Sequence, residues 1–226
     1  LLLMNISSLS NGFGGSKCVF TAEKASQPLA GNDNTDYPFK QFSKWLNQAI
    51  KSNVFEPTAM SLATLRNNKV SNRIVLLKSV EKNTFIFYTN LHSRKSKDLE
   101  KNKSIAAVFW WPQIGKQVRI EGKIKKLVKT KVADTYFSSR SRQSQISAWA
   151  STQSDIIPNR KYLEEKIEIV KKRFVNMSIN RPKFWSGYVI TPFLIEFWQA
   201  RDHRLHDRIV YKKLKNKNWK KHRLGP

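Results

Sequence analysis

Apolar positions along the chain change their period after the first helix, and that change separates it from a run of short strands. Phe39, Phe42, Trp45, Leu46, Ala49 and Ile50 recur at steps of three and four, which predicts an amphipathic helix from Tyr37 to about Ser52. The spacing then shortens towards two. It predicts strands over residues 59–65, 70–80, 84–89, 104–111 and 117–128, with Arg66-Asn67-Asn68-Lys69 as the turn joining the first pair. The fourth strand stops at Pro112, and the fifth carries Val118, Ile120 and Ile124 on one face. Helical spacing returns over 130–140 and 160–177. Strand signals reappear at Gly187–Thr191 and Leu194–Gln199. A closing hairpin pairs residues 209–214 with 219–224 across Lys215-Asn216-Lys217-Asn218.

Many short strands with tight turns and few helices predict a mainly β fold, an antiparallel barrel with helices flanking it. No internal repeat or linker divides residues 37–226, so they read as one domain. Residues 1–36 differ: they are rich in Ser, Asn and Gly, show no periodicity, and read as a mobile arm.

Composition narrows the class. Of 226 residues 40% are hydrophobic, enough for a core, and no run approaches the roughly 18 apolar residues of a membrane span. Leu1-Leu2-Leu3-Met4 is too short for a secretory leader and lacks a basic region before it. A single cysteine, Cys18, excludes an internal disulfide and fits a reducing, cytoplasmic setting. The charge is extreme: 42 Lys+Arg against 16 Asp+Glu give +26. Three readings fit it. A polyanion such as nucleic acid would be attracted; lysines such as Lys123, Lys125, Lys126 and Lys129 could be solvated-face charges with no partner; or a few of the cations could hold small phosphorylated ligands.

Four clusters bear chemistry. Arg73-Ile74-Val75-Leu76-Leu77-Lys78 is a strand with a cation at each end, and residues five apart face opposite sides. The two cations therefore serve different groups, or the strand offers its edge to a flat ring. Tyr88-Thr89-Asn90-Leu91-His92-Ser93-Arg94-Lys95 is a strand end entering a helix. Its backbone N–H groups, hydroxyls and adjacent cations suit a terminal phosphate, although Ser-Arg-Lys also caps ordinary helices. Tyr136, Arg140 and Ser144 fall at steps of four, on one face of a helix that reaches that far; they suit a second phosphate or a solvated face. In Trp198–Arg208, Asp202, His203, His206 and Asp207 invite a metal, but no Cys or Glu completes a shell and arginines crowd it. As extended chain, Arg204, His206 and Arg208 share a face, which suits an anion.

Taken together, these segments resemble the pyridoxine/pyridoxamine 5′-phosphate oxidase family from about Pro38 to Pro226. Gln117-Val118-Arg119-Ile120-Glu121-Gly122, Ile195–Gln199 and the ending Arg223-Leu224-Gly225-Pro226 add to the match, whose order and spacing make it specific. The sequence departs at Ala200 and at Ser186-Gly187, where the family usually has Gly and Gly-Gly. The arm also lacks the Arg-Arg-Glu-Tyr-like segment that some members fold over the substrate.

The resemblance implies an FMN-binding split β-barrel, antiparallel and Greek-key-like, that dimerises with FMN at the subunit interface. It places FMN against Arg73, Ile74, Val75, Leu76, Leu77, Lys78, Tyr88, Thr89, Arg94, Lys95, Gln117, Gln153, Ser154, Trp198 and Arg208, with Arg94 and Lys95 on its phosphate. It places the substrate phosphate against Lys78, Tyr136, Arg140 and Ser144, and Arg204 and His206 over the pyridine ring. The implied reaction moves hydride from the substrate C4′ to flavin N5, with O2 as final acceptor. Its partners would be a second copy of the chain and phosphorylated B6 vitamers, with no specific nucleic acid, membrane or metal.

Overall fold

Helix α1 (Tyr37–Lys51) forms where the three-and-four spacing predicts it, in a computed structural model that describes residues 37–226. The arm expected over residues 1–36, with Cys18, lies outside the described residues. The buried face of α1 closes one end of a barrel. Phe42 meets Phe85 and Phe109 at 5.0 Å each between ring centres, and Trp45 meets Phe197 edge-on at 5.2 Å. Phe42 is fully buried, so its truncation to alanine would cost about 3–5 kcal/mol.

The strands are β1 (Ala59–Arg66), β2 (Lys69–Glu81), β3 (Thr84–Asn90), β4 (Ser104–Trp111), β5 (Lys116–Leu127), β6 (Trp185–Gln199), β7 (Asp207–Lys213) and β8 (Trp219–Arg223). They lie in the order β3-β2-β1-β4-β5-β6-β7-β8, every neighbour antiparallel, and β3 also pairs with β6. That extra pairing closes a six-stranded ring and leaves β7 and β8 as an extension beyond it. Two-residue turns set the early registers. Asn67 and Asn68 (φ 49° and 57°) join β1 to β2, and Lys82 and Asn83 (φ 45° and 60°) join β2 to β3.

Strand β6 makes the split. The sequence predicts two strands here, at 187–191 and 194–199, and the structure has one. Its first half pairs with β3 (Phe85 with Ile190) and its second half with β7 (Leu194 with Lys212), while β5 runs along the other edge. Pro192 sits between the stretches paired with β3 and with β7, where its missing N–H costs no ladder bond on that edge. Opposite it Gly122 is required: a Cβ there would lie 2.8 Å from the Thr191 carbonyl oxygen.

Helix α2 (Arg94–Lys101) follows β3, and α3 (Thr130–Ser138), α4 (Arg142–Ala150) and α5 (Arg160–Arg173) join β5 to β6. Phe137, Ile146, Phe174, Ile179 and Trp185 form a second core beneath them. Two helix boundaries differ from the predicted ones. The helix expected over 130–140 ends at Ser138 and a new one starts at Arg142, because Ser141 caps it by accepting from the Ser144 N–H at 3.3 Å. The helix expected to run to 177 ends at Arg173, with Asn176 in the left-handed region beyond it (φ 55°).

Candidate active site

Strand β2 forms the floor of the site. Val75 and Leu77 point into the barrel core, and Ile74, Leu76 and Lys78 point out. The register with β3 slips between Leu77 and Ser79, so Lys78 is an extra residue in a bulge. Such a bulge re-aims a side chain, and here Lys78 lines a cavity of about 540 Å³ between β2, the end of β3 and helices α3 and α4. Among the described residues no acidic side chain lines this cavity.

At its inner end lies Lys95, in the first turn of α2 and only 6% exposed. Its ammonium donates to Thr89 Oγ1 at 3.0 Å, Ser93 Oγ at 3.0 Å and Gln153 Oε1 at 3.3 Å, all uncharged acceptors. Burial, and secondarily the nearby Arg73 charge, lower its pKa from 10.5 to about 8. A buried cation with only neutral partners is stabilised by an anion, so this corner suits a phosphate. Arg73 turns away from the cavity: it donates to Thr64 Oγ1 at 2.7 Å, to the Leu62 carbonyl and to Ser71 Oγ, and lies 3.6 Å from the buried Asp98.

The opposite wall is aromatic. Tyr88 stacks on Tyr136 at 4.1 Å and on Trp185 at 5.1 Å. Gly187 makes room for this stack, since a Cβ there would lie 2.8 Å from the Tyr88 ring. Burial raises both phenols above their ordinary pKa, so both remain donors at neutral pH. Arg140 lies over Trp185 with its guanidinium carbon 4.9 Å from the ring centre. Its Nη1 is buried without a hydrogen-bond partner. Burial also depresses its pKa, yet an arginine stays cationic. An orphaned charged donor beside a cavity is a second place that calls for an anion.

Of the candidate residues, Ile74, Val75, Leu76, Lys78, Tyr88, Thr89, Lys95, Tyr136, Arg140, Ser144 and Gln153 line this one cavity. Tyr136, Arg140 and Ser144 meet there across the turn between α3 and α4, and not along one helix as their spacing predicts. Leu77 belongs to the barrel core, Arg94 is exposed at the start of α2, and Ser154 sits beside Gln153 in the left-handed region (φ 76°).

The remaining candidates gather at the far end of β5, β6 and β7. Gln117 pairs with Trp198, and Trp198 with Arg208. The His206 ring packs on Trp198 at 4.5 Å, and its Nδ1 accepts from the Arg201 N–H at 3.2 Å, which places the proton of the neutral ring on Nε2. The expected extended run 204–208 is absent. Asp202–Arg204 form a 3₁₀ turn, and His203 and Arg204 take φ of 54° and 62°, so Arg204 does not share a strand face with His206 and Arg208. Among the described residues no three His, Cys, Asp or Glu side chains gather as metal ligands. Arg201 and Arg223 hold Asp207 at 2.7 and 2.6 Å.

Several cavity residues escape sequence reasoning: Asn90, Ser141, Ser147, Ser151 and Trp185. Asn90 ties the end of β3 to the end of α4 through the Ser151 carbonyl at 3.3 Å, a link that only the folded chain creates. Trp185 follows Pro182-Lys183-Phe184, and an aromatic pair there was the available signal.

A closed barrel whose last ring strand runs on into a hairpin, with a cation-lined cavity on its wall, is a split β-barrel. The pyridoxamine 5′-phosphate oxidase family model matches residues 46–174, and the model of the pyridoxine 5′-phosphate oxidase C-terminal dimerisation region matches 185–226. The chain belongs to the pyridoxamine 5′-phosphate oxidase family. A pyridoxine/pyridoxamine 5′-phosphate oxidase of Leptospira interrogans is 46% identical over 198 residues, spanning 87% of this chain and 90% of its own. One of Neisseria gonorrhoeae is 43% identical over 203 residues, spanning 89% and 95%. Among solved structures, PhzG of Burkholderia lata, in complex with tetrahydrophenazine-1-carboxylic acid, superposes with a TM-score of 0.79 at 27% identity, covering 89% of this chain and all of its own. A pyridoxamine 5′-phosphate oxidase-related, FMN binding protein of Nostoc punctiforme shares the fold (TM-score 0.68, 15% identity, 84% of this chain and 98% of its own). The family implies a flavin, and the two anion-seeking corners, Lys95 and Arg140, fit a cofactor phosphate and a substrate phosphate.

Proposed function

We propose that the protein oxidises pyridoxine 5′-phosphate and pyridoxamine 5′-phosphate to pyridoxal 5′-phosphate as a homodimer, with FMN as resident cofactor and O2 as final acceptor. The observation that carries this reading is the buried, unpartnered Arg140 Nη1 beside a cavity without carboxylates. Such a donor calls for an anionic group on the substrate, and the phosphate of the vitamers supplies one. FMN, when bound, supplies hydride acceptance at N5 and reoxidation by O2 to hydrogen peroxide.

Each side chain then has a task. Lys95, with Thr89 and the exposed Arg94, holds the FMN phosphate at the inner corner, and Gln153 and Ser154 lie along it. The β2 segment from Arg73 to Lys78 borders the flavin ring, Arg73 and Leu77 by fixing that segment from behind and Lys78 by reaching both ligands. Tyr88 supports the Tyr136 phenol. Tyr136, Arg140 and Ser144 bind the substrate phosphate and so orient C4′.

Arg204 and His206 close over the pyridine ring, and Gln117, Trp198 and Arg208 complete the flavin site. They come from a second copy of the chain. Trp185 lines the cavity, and Trp198 lies about 40 Å further along the same strand at the ordinary rise of ~3.3 Å per residue. The length of β6 between these ends favours a site shared between two protomers, and the match of residues 185–226 to a dimerisation region supports that reading. A cytoplasmic setting fits the lone cysteine.

The test is incubation of the FMN-loaded protein with pyridoxine 5′-phosphate in air, following the aldehyde and peroxide. Both should appear in equal amounts, and sedimentation should find a dimer that loses flavin as it dilutes to monomer. No aldehyde from either vitamer would overturn the substrate assignment, and a monomer holding flavin at full affinity would overturn the shared site.

A further inference from the structure

Trp185 opens β6 and is 6% exposed. Its backbone is pinned on both sides. Its N–H donates to the Pro182 carbonyl at 3.0 Å, its carbonyl accepts from Arg181 Nη1 at 2.6 Å, and it pairs with Asn90 in β3. Its indole lies nearly parallel to both Tyr88 and Tyr136, at 14° to each and with centres 5.1 and 6.0 Å away. The edge-on Phe137, at 5.2 Å, closes the group.

Arg140 is held differently from the other buried-side arginines of the molecule. Arg73, Arg181, Arg201 and Arg208 each reach a carboxylate. Arg140 reaches none, and it sits in the short break between α3 and α4, where the helix no longer fixes the chain. The groups that restrain its guanidinium are two aromatic faces, Trp185 at 4.9 Å and Phe137 at 5.5 Å. The distinction has a chemical consequence. A carboxylate would order the guanidinium but compete with any anion for its N–H groups. An indole face orders it through cation–π attraction and leaves the in-plane donors free.

We infer that Trp185 is a positioning residue for the substrate phosphate: its indole holds Arg140 in the binding geometry without neutralising it, and sets the Tyr136 phenol beside it through the shared stack. This rests on the reading of Arg140 as the substrate-phosphate ligand. Because the ordering of a long side chain is settled before binding, the gain falls on affinity for the phosphate group and not on the chemical step.

The test uses the flavin-loaded enzyme with Trp185→Phe, Trp185→Leu, Arg140→Ala and the double variant Trp185→Leu/Arg140→Ala. Three quantities are read: flavin content, KM and kcat for pyridoxine 5′-phosphate, and the dissociation constant of inorganic phosphate from the change in flavin fluorescence. Trp185→Leu should raise KM and the phosphate dissociation constant together by about tenfold, the loss expected for a desolvated cation–π contact (~1.4 kcal/mol). kcat should stay within about threefold of wild type and flavin content should not change. Trp185→Phe, which keeps an aromatic face, should recover most of the affinity. In the Arg140→Ala background Trp185→Leu should add clearly less than it does alone, since only its effect through Tyr136 remains.

Unchanged phosphate affinity in Trp185→Leu would overturn the inference, as would an undiminished effect in the Arg140→Ala background. So would equal loss in the Phe and Leu variants accompanied by loss of flavin, which marks a merely structural role. The phosphate arm needs no turnover. A wild-type enzyme that binds phosphate through Arg140 but does not oxidise the vitamer would therefore sink the substrate assignment, while the Trp185 inference is still decided by the phosphate constants.

Discussion

Arg208 Nε donates to Glu196 Oε1 at 2.8 Å, and the other oxygen of the same carboxylate accepts from Arg119 Nη1 at 2.7 Å. Glu196 is 2% exposed, so two guanidiniums offset the burial of its charge. The arrangement aims Arg208 from below, while its Nη1 reaches the Gly225 carbonyl at 3.1 Å and fastens the C-terminal residues.

Glu196→Gln keeps the shape and removes the charge. The arginines are 28% and 39% exposed, so water recovers part of the loss and the cost in stability should be about 1–2 kcal/mol by urea denaturation. Flavin affinity should fall in parallel, by roughly three- to tenfold, because Arg208 loses its fixed orientation. Wild-type flavin affinity in this variant would show that Arg208 does not depend on the ion pair.

With Lys95 as the proposed ligand of the flavin phosphate, flavin binding should depend on pH. Its pKa in the folded protein is lowered from 10.5 to about 8, so the ligand-free fold gains stability as pH rises from about 8 to 10.5, where the unfolded chain still binds the proton. A bound phosphate reverses the preference by favouring the ammonium. FMN affinity should therefore decline above pH 8, by at most about tenfold per unit, while riboflavin, lacking the phosphate, shows no such decline. Lys95→Arg should flatten the FMN profile. Identical profiles for FMN and riboflavin would place the phosphate elsewhere.

The 3₁₀ turn at Asp202–Arg204 turns Arg204 off the strand that carries Arg208, so the proposed roles of the neighbouring residues should separate on substitution. Arg204→Ala should keep its flavin and lose about 10- to 100-fold in kcat/KM, or ~1.4–2.8 kcal/mol of transition-state stabilisation. His206→Asn should cost less, since it retains a polar group against Trp198. Arg208→Ala should act through lost flavin. Flavin absorbance beside steady-state rates at saturating FMN separates the cases; an Arg204→Ala enzyme as depleted of flavin as Arg208→Ala would contradict this division.

Much of this was legible in the chain. The spacing of Phe39, Phe42, Trp45 and Ala49 marks α1 because a helix closing a barrel must bury one stripe, and Arg66–Lys69 marks a hairpin because Asn tolerates left-handed backbone. The continuity of β6 was not legible, since its change of partner from β3 to β7 is invisible in sequence. Tyr136, Arg140 and Ser144 do converge, but through a turn that serine capping creates. Arg204 could not be placed from alternation, because His203 and Arg204 itself take left-handed backbone, and these residues give no such signal. The stack of Tyr88, Tyr136 and Trp185 joins three distant segments and is a property of the fold alone.

The central claim is that this cavity presents a phosphorylated vitamer to a flavin. Its most direct measurement is flavin absorbance under anaerobic conditions, as pyridoxine 5′-phosphate or pyridoxine without the phosphate is mixed with the FMN-loaded enzyme. The phosphorylated alcohol should bleach the flavin, the unphosphorylated one at the same concentration at least about 100-fold more slowly, and Arg140→Ala should remove most of the difference. Equal bleaching by the two alcohols, or an oxidised flavin that neither reduces, would contradict it.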